Sequence, residues 1–201
     1  MNAWTGTQDD EDDDVLEALS LGDTRRALTL LMDRYGDGVY RYVLELTRDE
    51  GLADDVRQQV FVEAFRDLDR YERRSTLRSW LLGIARHRVL DATKSRRRWW
   101  QRFKNDAPED EAGGATVGGA ERSVELADLA RVLADCLQKL QAAAREAVVL
   151  RYQQELSYDE AAAVSGVRVG TLQQRVARAL PVLRKCVEAR MSGRAEGRDA
   201  S

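Results

Sequence analysis

The sequence predicts an all-α protein: two small helical domains joined by a flexible, acidic, Gly-rich linker. Three observations predict it. Apolar residues recur at three- and four-residue spacing over several separate stretches, the period of helices with one buried face. Only two prolines occur in 201 residues, and strong helix formers dominate the rest. Between the stretches, residues 105–120 hold four glycines, one proline and four acids. That composition buries too little apolar surface to order itself and reads as a tether. Its root-mean-square span is roughly 20–25 Å.

Composition also excludes several classes. No apolar run approaches the roughly 18 residues of a membrane span. The acidic start, 1–14, lacks the hydrophobic stretch of a secretory leader, so a cytoplasmic protein is expected. A single histidine and two distant cysteines argue against a zinc site, a disulfide scaffold or a His-based catalytic site. No metal or cofactor is expected, and Cys136 and Cys186 read as small apolar residues.

The chain opens with an acidic extension, 1–24, carrying eight acids and no base; its first dozen residues are expected to be unordered. Residues 25–104 read as a four-helix domain. Leu28, Leu31, Tyr35, Val39, Tyr42, Val43 and Leu46 line one helix. After a turn at Asp49–Gly51, Leu52, Val56, Val60, Ala64, Phe65 and Leu68 line another. A polar loop, Asp69–Ser75, precedes a third stripe of Trp80, Leu81, Ile84, Ala85, Val89 and Leu90, which favours the core for Trp80 over stacking on a base. The opposite face of that helix carries Arg78, Arg86, His87 and Arg88 and runs into Arg96, Arg97 and Arg98. Trp99 and Trp100 then either stack on nucleic acid or close the helix against the core.

Residues 121–191 form the second domain, before an unordered tail, 192–201. Ser157 followed by Glu160 is a capping box that opens a short helix, and Gly166 closes it in a left-handed conformation. Leu172, Val176, Ala179, Leu180 and Leu183 line the next helix, whose other face carries Gln173, Gln174, Arg175 and Arg178. Pro181 lacks an N–H and crowds the carbonyl of Ala177, so a kink is expected there, ending the readable segment near Arg178. The outline is a helix-turn-helix.

Charge is strongly segregated behind a net −3. Residues 66–104 carry thirteen bases against four acids, and 166–198 carry eight against two; 105–135 between them are acidic, with eight acids and two bases. Two basic blocks on two modules suggest two polyanion-binding surfaces.

Taken together, the motifs resemble an extracytoplasmic-function (ECF) sigma factor of the sigma-70 family. The residues that carry the likeness are 52–65 (LADDVRQQVFVEAF), 79–86 (SWLLGIAR) and Arg96–Arg98 for region 2. For region 4 they are 149–152 (VLRY), 156–160 (LSYDE) and 166–172 (GVRVGTL). The likeness covers roughly 25–100 and 125–188. His87 stands where the family has asparagine, Gln59 where it has an acid, and Gln141 where it has proline. Gln173-Gln174 and Ala179-Leu180-Pro181 replace a pattern richer in Lys, Ser and Arg.

The resemblance implies a non-enzymatic subunit that directs bacterial RNA polymerase to promoters and assists their opening. Its partners would be core polymerase (clamp helices and flap), promoter DNA and an anti-sigma factor. Asp55, Gln58, Gln59 and Phe61 match the polymerase-contact segment, with Phe61 expected as an exposed anchor. Arg73, Arg74, Ser75, Arg78, Arg86, His87 and Arg88 would meet the minus-ten element. Arg168, Thr171, Gln173, Gln174, Arg175 and Arg178 would read the minus-thirty-five element. Two rivals remain: a polymerase-independent helix-turn-helix repressor, and a DNA enzyme with a metal on Asp54, Asp55 and Asp91.

Overall fold

The computed structural model describes residues 12–102 and 124–198, with side chains over 12–94 and 128–192. The proposed linker 105–120, the side chains of Arg96–Arg98 and those of Trp99 and Trp100 lie outside the described residues. The chain divides into two compact units between Gly114 and Ala115, and the described residues contain helices and turns but no strand.

Unit 1 contains α1 (Asp13–Ser20), α2 (Thr24–Thr47), α3 (Glu50–Asp67), a 3-10 turn (Leu68–Arg70) and α4 (Leu77–Arg102). Local chemistry sets the boundaries. The Asp23 carboxylate accepts from the Arg26 amide at 3.0 Å, and Asp49 accepts from Leu52 at 2.9 Å, each satisfying an amide that lacks a helical partner. Arg48 ends α2 in a left-handed conformation, φ 57°. The core joins Leu31, Val39, Tyr42 and Val43 of α2, Val56, Val60 and Ala64 of α3, and Leu81, Leu82 and Ala85 of α4, all buried. Each buried Leu or Val contributes about 1.5–3 kcal/mol.

The helix α1 lies inside the acidic extension, where the sequence offers too few apolar residues to mark it. It buries Val15 and Ala18, and a charge cluster completes the contact. Arg34 donates to Asp12 at 3.0 Å and to Asp14 at 2.8 Å, while the Tyr35 hydroxyl donates to Asp12 at 2.7 Å. Asp12 is 6% exposed, so this carboxylate is tolerated because two donors replace its water.

Unit 2 contains α5 (Val124–Gln138), α6 (Ala142–Val148), a π-turn (Val149–Gln153), α7 (Tyr158–Ser165) and α8 (Val169–Arg198). The capping box forms in full: the Ser157 hydroxyl accepts from the Glu160 amide, and the Glu160 carboxylate accepts from the Ser157 amide. Gly166 follows at φ 64°, a conformation a side chain would resist. One cluster packs Val132, Cys136, Leu137 and Leu140 with Val148 and with Ala179 and Leu183 of α8.

Two sequence expectations are corrected in unit 2. Cys136 and Cys186 are not independent apolar residues; they form a disulfide between α5 and α8, with Cα atoms 5.8 Å apart. Fifty residues separate them in sequence, so only the helix crossing brings them together. Pro181 lies inside α8, and the helix continues beyond it. Ala177 and Pro181 are both exposed, so a carbonyl freed there faces water, while buried Ala179 and Leu183 hold the helix on either side. Finally, α8 covers Ser192–Arg198, where an unordered tail was expected.

The cluster around Arg34 predicts a response to acid. The Arg34 hydrogen bond holds the Asp14 carboxyl below its ordinary 3.8. A depressed folded pKa contributes stability above the unfolded value and loses it as pH falls through the folded one. Hydrogen-exchange protection of α1 should therefore fall below about pH 4, while α2 and α3 stay protected. Arg34→Met should loosen α1 at neutral pH and abolish the acid step.

Candidate nucleic-acid interface

In unit 1 the loop between the 3-10 turn and α4 is tightly tied. The Tyr71 hydroxyl donates to the carbonyl of Ser75, and Arg74 pairs with Glu72. Arg73 sits at φ 54°, a left-handed conformation that costs a non-glycine residue roughly 1–2 kcal/mol. At the base, Thr24 donates to Asp69 at 2.9 Å, and Thr76 accepts from the Ser79 amide at 3.2 Å, capping α4. The loop borders an open cavity of about 260 Å³ lined by Asp67, Arg70, Tyr71, Glu72, Arg74, Ser75 and Trp80. The Tyr71 and Trp80 rings form its aromatic side, 5.4 Å apart and inclined at 43°. Acceptors, donors and two rings around one space suit an unstacked nucleobase: rings for its face, polar groups for its edge.

The structure brings together Arg74 and Ser75, two of the residues singled out from the sequence, and adds Tyr71 and Trp80. Trp80 is half-buried beside the cavity, a correction to its expected place in the core. The signal for Tyr71 was an aromatic residue in an otherwise charged loop. Arg73 is exposed beside the cavity, and His87 is exposed on α4.

Arg78 and Arg86 are half-buried and engaged within the protein. Arg88 departs from the expectation of a free DNA contact. Its Nε donates to the Glu63 carboxylate of α3 at 2.7 Å, and Nη2 donates to the same oxygen. The twenty-five-residue separation hid this partner from the sequence pattern.

On the α2–α3 side of unit 1, a groove of about 620 Å³ is lined by Leu28, Met32 and Gly36 and by Arg57, Gln58, Phe61, Val62, Phe65 and Arg66. Phe61 is not the exposed anchor expected: it is 5% exposed and forms the floor. Val62 at 53%, Met32 at 48% and Phe65 at 45% are the apolar groups that face solvent. Asp55 and Gln59 are exposed on α3 outside the groove lining, and Gln58 is exposed within it.

In unit 2 the carbonyl of Arg168 accepts from the amides of Thr171 and Leu172 at 2.9 and 3.1 Å, opening α8. Leu172, Val176, Ala179 and Leu183 are buried, whereas Leu180, expected on the same stripe, is exposed at 39% because it falls one residue past the buried line. The remaining face presents Thr171, Gln173, Gln174 and Arg178 fully and Arg175 in part. Amide side chains flanked by guanidiniums on the second helix of a helix-turn-helix are suited to a major groove: Gln to base edges, Arg to phosphate or guanine.

The comparisons agree with both units. Residues 31–99 match Sigma-70 region 2, and residues 130–180 match Sigma-70, region 4. The ECF RNA polymerase sigma factor SigC of Mycobacterium tuberculosis is 36% identical over 175 residues, covering 86% of this chain and 91% of that protein. The chain belongs to the sigma-70 family of RNA polymerase sigma factors. Its function is therefore to direct polymerase to promoters, and a polymerase-independent repressor is not favoured.

Two solved relatives extend the likeness. One is the sigma factor RpoE in complex with the anti-sigma factor NepR from Bartonella quintana, 25% identical, TM-score 0.67, covering 78% of this chain and 94% of that one. The other is CnrH in complex with the cytosolic domain of CnrY, 28% identical, TM-score 0.61, covering 89% and 97%. Among the described residues, no helix is long and apolar enough to cross a membrane, and no group of three or more His, Cys, Asp or Glu is placed to hold a metal ion.

The Arg88–Glu63 pair yields a direct test. Both groups are partly exposed, 39% and 31%, so the pair is worth no more than about 1 kcal/mol. Arg88→Ala should lower the thermal stability of the chain by that amount and leave single-stranded DNA affinity unchanged. Exchanging the two residues, Arg88→Glu with Glu63→Arg, should recover part of the loss.

Proposed function

We propose that this sigma factor divides promoter recognition between its two units, with the minus-ten element opened by unit 1 and the minus-thirty-five element read as duplex by unit 2. The cavity walled by Tyr71 and Trp80 carries the first assignment. Taking one base out of a duplex costs a few kcal/mol, and stacking on an aromatic ring returns about 1–3 kcal/mol. The polar lining supplies the rest at the base edge and phosphate. Arg73, Arg74 and Ser75, with Arg78, Arg86 and His87 on α4, form the basic surround, whereas Arg88 acts through Glu63 by holding α4 on α3.

The α2–α3 groove and the adjoining α3 surface with Asp55, Gln58 and Gln59 are assigned to core polymerase. Exposed apolar side chains ringed by polar groups are the usual anatomy of an interface anchor. Phe65 and Val62 take the role the sequence pattern gave to Phe61. The sigma factor RpoE among the solved relatives is in complex with an anti-sigma factor, and the same class of protein is the regulator proposed for this chain. The protein is proposed to act as a non-enzymatic subunit in the cytoplasm, where polymerase works.

Trp80→Ala should leave polymerase binding intact while reducing permanganate reactivity of minus-ten thymines about tenfold, the equivalent of about 1.4 kcal/mol of stacking. Undiminished reactivity would remove the cavity from promoter opening. For the groove, Phe65→Ala should weaken core-polymerase binding by about 2 kcal/mol, roughly thirtyfold, with an unchanged circular-dichroism spectrum. Wild-type affinity in a competition assay would place the polymerase elsewhere.

Gln174→Ala should relax preference at one base pair of a randomised minus-thirty-five library, because a bidentate contact discriminates by about 1–3 kcal/mol. Identical selected sequences would show that Gln174 only faces solvent.

A further inference from the structure

The disulfide between Cys136 and Cys186 lies in the unit assigned to minus-thirty-five recognition. Bacterial RNA polymerase works in a compartment where thiol systems keep most cysteines reduced, and disulfides found there are usually transient or redox-sensing. A permanent staple is therefore the exception for a protein with this function. The two sulfurs also differ in access. Cys136 is 1% exposed inside the apolar cluster, whereas Cys186 is half-buried at the α8 surface.

The position of the bond along α8 matters as much as its chemistry. The reading residues, Thr171 to Arg178, lie before Pro181, and Cys186 lies after it. Proline removes one helical hydrogen bond, so α8 is weakest between its reading half and its cross-linked half. Among the described residues, apolar packing by Leu183 and Val187, the Arg190–Asp135 ion pair at 2.6 Å and the disulfide hold the distal half to α5. The ion pair is partly exposed, 39% and 52%, and so contributes little. Ala179 and Leu183 share a cluster with Cys136, and Ala179 adjoins Arg178. Loosening the crossing therefore reaches the end of the reading face.

We propose that Cys136–Cys186 is a redox-modification site, with cellular dithiols as its reductants, that sets how firmly α5 holds the distal half of α8 and thereby the grip of α8 on duplex DNA. A dithiol thiolate attacks Sγ of Cys186; the S–S bond breaks and Cys136 leaves as a thiolate that takes up a proton. The second thiol of the reductant attacks the mixed disulfide, closes the reductant's own disulfide and releases Cys186 as a thiol. Two electrons pass to the protein, and a disulfide-bearing oxidant reverses the exchange. The link to DNA rests on the reading-face assignment above; the redox site itself does not.

The test uses the full chain equilibrated in glutathione mixtures from reducing to oxidising, with free thiols counted by alkylation and intact mass. Two thiols should appear together and reversibly across that range. On reduction, exchange protection over 128–138 and 182–192 should fall by up to about a thousandfold, the ceiling set by closing a fifty-residue loop. Unit 1 peptides should not change. Affinity for a minus-thirty-five duplex should fall severalfold. The double variant Cys136→Ser, Cys186→Ser should resemble the reduced protein and ignore the redox mixture.

A bond that never forms, one that survives the most reducing mixture, or protection that is the same in both states overturns the redox site. Equal duplex affinity of the two forms overturns its link to promoter reading. If neither form binds the duplex even when assembled with core polymerase, the reading-face assignment fails instead, and the thiol and exchange results alone decide the redox site.

Discussion

The packing of α2 against α3 is the constraint on which the working surfaces of unit 1 depend. Once Leu31, Val39, Tyr42 and Val43 are buried on Val56, Val60 and Ala64, the rotation of both helices is fixed. Every other side chain is then assigned to an outer face by the 3.6-residue period. Met32, Val62 and Phe65 fall along the groove, and Asp55, Gln58 and Gln59 fall beside it. The 3-10 turn closes on buried Leu68, so the same packing sets where the loop leaves α3 and where the cavity of Tyr71 and Trp80 opens. A change in the α2–α3 core would therefore disturb the groove of Met32, Val62 and Phe65 and the cavity of Tyr71 and Trp80 together.

The sequence showed most of this framework because helix periodicity and capping are local. Ser157 and Glu160 announce α7 three residues apart, and Gly166 marks its end by the conformation it alone adopts easily. The α8 stripe of Leu172, Val176, Ala179 and Leu183 was likewise legible, and it placed Gln173, Gln174 and Arg178 outward. Misreadings arose wherever a side chain's fate depends on a distant partner. Phe61 and Phe65 lie one turn apart on α3, and periodicity alone does not say which of them α2 covers. Arg88 looked like one more cation on a basic face until Glu63 was found beside it. Cys136 and Cys186 lacked any short-range signature, and α1 owes its place to a charge cluster, Asp12, Asp14 and Arg34, that no apolar period predicts.

Charge segregation has a structural counterpart in unit 1. Basic residues concentrated in 66–104 do not all face outward as free cations. Arg88 is paired with Glu63 and Arg74 with Glu72, and Arg78 and Arg86 are engaged within the protein. Internal pairing orients these guanidiniums and reduces the net attraction for any polyanion. What remains is a shaped site in which an unstacked base meets rings and oriented donors, in place of a uniformly positive surface. Such a site gains most from a strand that is already opening, since a paired and stacked base cannot enter it.

The α8 face follows a related logic on duplex DNA. Phosphate contacts supply affinity without sequence information, and base-edge contacts supply the information. Arg168, Arg175 and Arg178 flank the neutral pair Gln173 and Gln174, so in the proposed reading cations would position the helix and amides would inspect the bases. Replacing the amides with lysines would strengthen binding to every sequence alike, and a genome offers on the order of a million or more competing nonspecific sites. A reading helix with few charges avoids that trap, provided the rest of the assembly contributes the missing affinity. On the proposed assignments, polymerase docking through the α2–α3 groove and base capture by unit 1 would provide that contribution, so α8 could discriminate without binding strongly by itself.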